Sequence, residues 1–219
     1  MSGFLDNLGP PIGVADLLGG RPLAVLAPHP DDETLGCGAL LFDAAAHGAR
    51  CTVICVTDGS RSHPKSRGWP PRRLAEQRRA ELEAAAAILG ATTHWLGHGD
   101  CRVRADADIS DLIPQGALLL ATWEGDPHVD HQSVARMART LARPDVALAY
   151  YPIWGRFTDR TAPTRTIAAS AAALTAKRRA LACHRSQMTP LIDDDPEGFV
   201  MERWRQEHFL THPEIVIAP

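Results

Sequence analysis

Residues 23–33 read LAVLAPHPDDE, and the change of character inside this stretch decides the fold. Leu23–Ala27 is a short apolar run ending at Pro28, the pattern of a strand buried on both faces. Directly behind it, His29, Asp31, Asp32 and Glu33 pack one imidazole and three carboxylates into five positions. Charges gathered where a buried strand ends are costly unless something compensates them, and a divalent cation does so efficiently.

Working outward, the same alternation recurs. Residues 35–47 read as a helix closed by Gly48, and Cys51–Thr57 as a second buried strand ending at Asp58 and Gly59. A polar loop over 60–71 leads to a long helix that Pro71 starts and Gly90 ends, the usual asymmetry of proline at a helix entrance and glycine at its exit. Strands are expected at 92–96, 117–122 and 146–151, helices at 129–141, 174–184 and 198–207, and a last strand at 214–218. Apolar strands alternating with helices predict a Rossmann-like α/β fold: a mostly parallel sheet with helices on both faces and the active site at the carboxyl ends of the strands. With 219 residues and no interior linker, a single domain over 1–219 is expected, residues 1–20 being a Gly/Pro-punctuated lead-in.

The polar clusters fall where that fold places a site. His29–Asp32 follows the first strand, Asp58 the second, Asp100 the third, and Asp126-Pro-His128-Val-Asp130-His131 the fourth. Two histidines and one carboxylate with an open position make a catalytic zinc arrangement. His29 and Asp32, three apart, are within chelating reach, and one ligand from the second cluster would complete the set. Asp31 then lies beside the metal, free to take the proton of a bound water. His128 with Asp130 has the look of an oriented imidazole held in its protonated form. Glu33 is expected to cap the helix that follows.

Composition narrows the classes. A net charge of −3 gives no electrostatic case for nucleic acid. No run of ~18 apolar residues occurs, so no membrane span is expected. The first twenty residues lack the basic and apolar regions of a signal peptide. Five cysteines without a CxxC pair fit a reducing cytoplasm, with Cys51 and Cys55 as core thiols.

Pro-His-Pro-Asp-Asp-Glu at 28–33, followed about a hundred residues later by Asp-Pro-His-x-Asp-His at 126–131, resembles the double signature of the PIG-L/LmbE-like zinc-dependent N-deacetylases. Thr57-Asp58-Gly59, Arg78-x-x-Glu81, Lys177 and His184-Arg185-Ser186-Gln187 are similar to lesser motifs of that family. The resemblance implies metal ligands at His29, Asp32 and His131, a general base at Asp31 and a His–Asp pair at His128 and Asp130. It implies Zn2+ as cofactor, with Fe2+ or another divalent ion as substitute, and an N-acetylated sugar conjugate as the small-molecule substrate. It departs at Asp126, where members acting on mycothiol-type substrates carry tyrosine. Asp58, Arg78, Asp100, Arg156 and His184 are the candidates for substrate contact. Two other readings compete: a non-haem Fe(II) enzyme on the same two-histidine, one-carboxylate set, and a dinucleotide-binding domain using Gly36-x-Gly38.

Overall fold

The computed structural model describes residues 3–6 and 8–218. In chain order, strand β1 (Pro11–Ile12) and helix α1 (Val14–Leu18) precede β2 (Leu23–Ala27), α2 (Asp32–Ala46), β3 (Cys51–Thr57), α3 (Pro71–Leu89) and β4 (Ala91–His98). Then come β5 (Leu118–Thr122), α4 (Val129–Thr140), β6 (Ala147–Tyr151), β7 (Thr164–Ile167), α5 (Ala171–Leu181), α6 (Arg185–Met188), α7 (Arg203–Thr211) and β8 (Ile215–Ile217). The eight strands form one sheet in the order β1-β7-β8-β6-β5-β2-β3-β4. All pairings are parallel except those of β8 with β6 and β7.

The period-2 alternation of the central strand divides the core in two. Leu23, Val25 and Ala27 of β2 belong to the layer filled by α2, α3 and α5 residues such as Leu40, Leu82 and Leu181. Ala24 and Leu26 belong to the opposite layer, with Val134 and Met137 of α4. Each strand residue therefore meets a helix, which is why β2 and β3 are apolar throughout. Cys51 and Cys55 are buried within β3, as thiols.

Two expectations need correction. Residues 8–18 of the expected lead-in are built into the fold: Pro11 and Ile12 pair with Thr166 and Ile167, and α1 buries Val14 and Leu18. Met1, Ser2 and Asn7 of that segment lie outside the described residues. Between residues 151 and 174, where no element was expected, a short 3-10 helix (Trp154–Phe157) leads to β7. Gly36 and Gly38, the glycines of the dinucleotide reading, sit inside α2 rather than in a phosphate-binding turn. A Cβ at Gly36 would lie 2.3 Å from the Tyr151 ring, so that glycine permits helix-to-strand packing.

Candidate active site

Strands β2 and β5 are neighbours, and from their carboxyl ends the chain crosses in opposite directions, from β2 to β3 and from β5 to β6. Such a switch point opens a crevice, and both acidic-histidine clusters fall there. On the β2 side the chain turns sharply: the His29 N–H donates to Asp32 Oδ2 at 2.9 Å. Asp31, at the N-cap of α2, has φ 151°, a conformation that side chains rarely adopt. It is held there by its N–H donating to Glu33 Oε2 at 3.0 Å and by its carbonyl accepting from Thr34 and Leu35 at 3.0 and 2.9 Å. On the β5 side, His128 caps α4 and His131 lies in its first turn, fully buried.

The two turns bring the Asp32 carboxylate against one nitrogen of each of two imidazoles. Asp32 Oδ2 stands 3.2 Å from His29 Nδ1 and 3.3 Å from His131 Nε2. Each of these two separations is close to the roughly 3.3 Å edge of a tetrahedron with ~2.0–2.1 Å bonds. The remaining ring nitrogens each face a carboxylate: His29 Nε2 lies 3.1 Å from Asp130 Oδ2, and His131 Nδ1 lies 3.2 Å from Asp126 Oδ1. A carboxylate behind each imidazole is the support that metal-ligating histidines carry. Both nitrogens of His131 lack a well-directed hydrogen bond, as does Asp130 Oδ1, although all are buried. Buried polar atoms left in this state ask for a ligand. Among the described residues, the groups that place one donor atom each within 4.8 Å of one another are His29, His128 and His131, and His29, Asp100 and Asp130; Asp32 is in neither. A His/Asp group at this place could therefore bind a metal ion.

The field of the cluster agrees. Burial opposes charge on His29, but Asp130 and Asp32 outweigh it and raise its pKa to about 9. Burial likewise opposes charge on His131, and Asp32 and Asp126 raise it to about 10. Asp32 is held far below the usual carboxylate range: burial opposes this, and the His131 and His29 contacts prevail. A site that draws protons onto two buried imidazoles offers the same attraction to a dication. Asp31 behaves oppositely, pushed up to about 7 by burial against the pull of Arg78.

The expected His128–Asp130 pair is not formed through side chains. The Asp130 carboxylate turns to His29 and accepts the Cys101 N–H at 2.9 Å, while His128 Nδ1 accepts the backbone N–H of Asp130 at 3.1 Å. The reason is local: His128 is the N-cap of α4, and its ring folds back to satisfy a free N–H of the first turn. Burial and the neighbouring His29 and His131 lower its pKa to about 4, against the expected protonated form. With Nδ1 accepting, the proton of neutral His128 sits on Nε2.

Around these groups lies a cavity of about 460 Å³, touched by His29, Asp31, Asp32, His128, Asp130 and Asp100 among others. Of the expected substrate contacts, Asp100 lines it, yet both its oxygens already accept N–H groups, from Gly59 and Arg61. Arg78 lines it too, but is tied to the carbonyls of Gly59 and Pro30 and stands 3.5 Å from Asp31. Asp58 caps its own turn by accepting the Ser60 N–H. His184 is buried against Glu33, 3.1 Å away, so Glu33 links the Asp31 turn to α6 as well as capping α2. Arg156 is buried away from the cavity, donating to His208 Nε2 and the Pro213 carbonyl. Sequence reasoning missed Asp126 as the support of His131. Its signal was a carboxylate between a buried strand and a histidine-bearing helix.

A parallel α/β sheet with such a His/Asp group at its switch point defines the class, and comparison defines the family. Residues 24–142 match the PIG-L family, described as GlcNAc-PI de-N-acetylase, and the chain belongs to it. A 1D-myo-inositol 2-acetamido-2-deoxy-alpha-D-glucopyranoside deacetylase of Catenulispora acidiphila is 31% identical over 141 residues, covering 62% of this chain and 45% of that protein. The chain spans about half the length of such relatives. Among solved structures, a deacetylase triple mutant from the teicoplanin biosynthetic pathway superposes with a TM-score of 0.70 at 19% identity, covering 90% of this chain and 96% of the other. The 4-carboxy-2-hydroxymuconate hydratase from Pseudomonas putida also shares the fold, with a TM-score of 0.59 at 18% identity over 74% of this chain and 78% of that one. The fold thus serves more than one reaction, and function must be read from the site. Among the described residues no helix is long and apolar enough to cross a membrane.

Proposed function

We propose that this chain is a zinc-dependent N-deacetylase that removes acetyl from an N-acetylated amino-sugar conjugate, acting as a single domain. The observation that carries the reading is Asp32 Oδ2 lying between His29 Nδ1 and His131 Nε2, with the Asp31 carboxyl beside them on the cavity. A zinc ion held by His29, Asp32 and His131 would polarise the acetamide carbonyl and acidify a water molecule. Asp31, beside that set, would take a proton from the attacking water. Its pKa near 7 suits a group that takes a proton and later returns it to the departing amine. His128 Nε2–H donates to the carbonyl oxygen as negative charge grows there, and a neutral imidazole suffices for that. Asp130 and Asp126 fix the orientation of the two ligand rings, and Arg78 steadies Asp31. The Fe(II) reading uses the same donors but leaves Asp31 without a task. The dinucleotide reading has no glycine turn to stand on. The names of the relatives support an acetamido sugar as substrate, and Asp126 holding His131 gives that position a supporting role in place of tyrosine's.

Acetate release from a panel of N-acetylglucosamine conjugates tests the reading. About one divalent ion per chain is expected, with release abolished by chelator and restored by zinc. A chain carrying one zinc that releases no acetate from any member of the panel overturns it.

A further inference from the structure

The cavity has two chemical halves. One is the His/Asp floor described above. The other is apolar: Leu35, Pro64, Trp154, Phe199 and Met201 line the same space. Phe199 and Met201 come from the segment before α7 and Trp154 from the turn after β6, so residues distant in sequence converge on one wall.

That wall is rigid. Trp154 and Phe199 meet edge to face with ring centroids 5.9 Å apart, and the Arg205 guanidinium lies 5.3 Å from the Trp154 ring centre. The Phe199 N–H donates to the Ser62 carbonyl at 2.7 Å, and the Met201 N–H to the Gln187 carbonyl at 2.8 Å. The 60–68 loop is clasped to residues 194–195 by backbone N–H groups of Lys65, Arg67 and Gly68, each donating to Asp195 or Asp194 at 2.8–2.9 Å. Gly198 approaches His63 so closely that a Cβ there would lie 2.0 Å from the ring. An apolar surface held in place before binding costs little ordering when a ligand arrives.

Several polar groups outside the floor are already engaged, and the charged side chains of Arg61 and Glu197 stand at the exposed rim, Glu197 paired with Lys65. Both Asp100 oxygens accept backbone N–H groups, Gln187 Nε2 donates to the Ser186 carbonyl, and Ser62 Oγ pairs with His63 Nδ1. Away from that rim, an apolar group would meet the side chains of Leu35, Pro64, Trp154, Phe199 and Met201.

We propose that this half of the cavity is an aglycone pocket, selecting amino-sugar conjugates whose sugar carries an apolar, preferably aryl, group rather than a polyol. The proposal rests on the deacetylase reading for the sugar half alone. Trp154 and Phe199 are the residues that select.

Calorimetric titration of the zinc-loaded Asp31→Asn protein with phenyl and methyl glycosides of N-acetylglucosamine tests it, because binding is read without turnover. The phenyl glycoside should bind about tenfold or more tightly than the methyl one, the usual worth of a modest apolar group in a matching pocket. Trp154→Ala and Phe199→Ala, each in that background, should shrink the ratio to about threefold or less. Equal affinity for the two glycosides overturns the pocket without need of any variant. A preference that survives both substitutions overturns it as well. Acetate release by the unsubstituted protein is measured in parallel and separates the two claims. Tighter phenyl binding with no release from either glycoside supports the pocket and sinks the deacetylase; equal binding with release from both does the reverse.

Discussion

Helix α2 carries two buried charge clusters, and they are built differently. In its middle, Glu214 accepts the backbone N–H groups of Ala39 and Leu40, both at 2.8 Å. Lys177 Nζ donates to Glu214 Oε1 at 2.7 Å and to the Leu35 carbonyl at 2.8 Å. Burial lowers the Lys177 pKa against the pull of Glu214. This cluster is closed, with both carboxylate oxygens and the ammonium engaged. At the N-terminus of the same helix, the cluster of His29, Asp31, Asp32, Asp130 and His131 borders a cavity and leaves buried nitrogens and an oxygen without directed partners. Both clusters pay desolvation, but only the second keeps bonding capacity for something not yet there. Saturation marks a cluster as structural, and unsaturation beside a cavity marks one as functional.

The largest effect should come from removing the functional charge. In metal-loaded protein, Asp31→Asn is expected to lose about 10²–10⁴-fold in turnover, the range for a general base, while metal content stays near one per chain. Denaturant unfolding should show no loss of stability, because the raised pKa of Asp31 says its charged form is unwelcome in the fold. Undiminished turnover with normal metal content would break the contrast.

Lys177→Met attacks the closed cluster and should behave in the opposite sense. It strands the buried Glu214 charge, so stability should fall by about 3–5 kcal/mol, read from urea midpoints. Turnover per folded molecule should change little. The double variant Lys177→Met with Glu214→Leu should recover part of the loss, since neither charge then remains. A Lys177→Met protein of normal stability would mean that saturation is a poor guide.

What could be read from the sequence follows the same physics. Leu23–Ala27 and Cys51–Thr57 were legible to the residue because a strand covered on both faces must be apolar throughout. Pro71 and Gly90 marked the ends of α3 for equally local reasons. The β1–β7 edge was not legible: β1 is two residues long, and Thr164–Ile167 includes an exposed arginine. In the site, the clustering of His29, Asp32 and His131 was visible as charge placed after strands. Which carboxylate serves which imidazole was not. Asp130 is two residues from His128 in the chain yet reaches His29, because the rotation of the first turn of α4 decides the partner. Trp154, Phe199 and Met201 are separated in sequence and carry no shared pattern.

A smaller loss is expected from His128→Ala. In the proposed mechanism it gives one directed N–H to a developing oxyanion, so turnover should fall by about 10²–10³-fold with metal content unchanged. Because burial and two histidines already keep it neutral, the acid limb of the rate profile should not be set by His128. A variant that arrives without metal would instead make His128 a ligand, in keeping with its approach to His29 and His131.

The smallest effect isolates the backbone of the functional cluster from its charge. Asp31 sits at φ 151°, and no comparable strain attaches to the Lys177–Glu214 cluster. Glycine reaches such conformations freely, whereas any residue with a Cβ is penalised by about 1–3 kcal/mol. Asp31→Gly and Asp31→Ala both delete the carboxylate, so both should be inactive to the same degree, and their difference reports conformation alone. Glycine also loses more freedom on folding, which offsets about 0.4–1 kcal/mol of its advantage. Asp31→Gly should therefore be the more stable of the two by about 0.5–2 kcal/mol in urea unfolding, the order that an N-cap position also favours and the reverse of that inside a helix. If alanine proves the more stable, the turn is not strained. The position of the Asp31 carboxylate would then owe nothing to stored backbone energy, and the hydrogen bonds from Asp31 N–H to Glu33 and into its carbonyl would be holding a conformation the chain already favours.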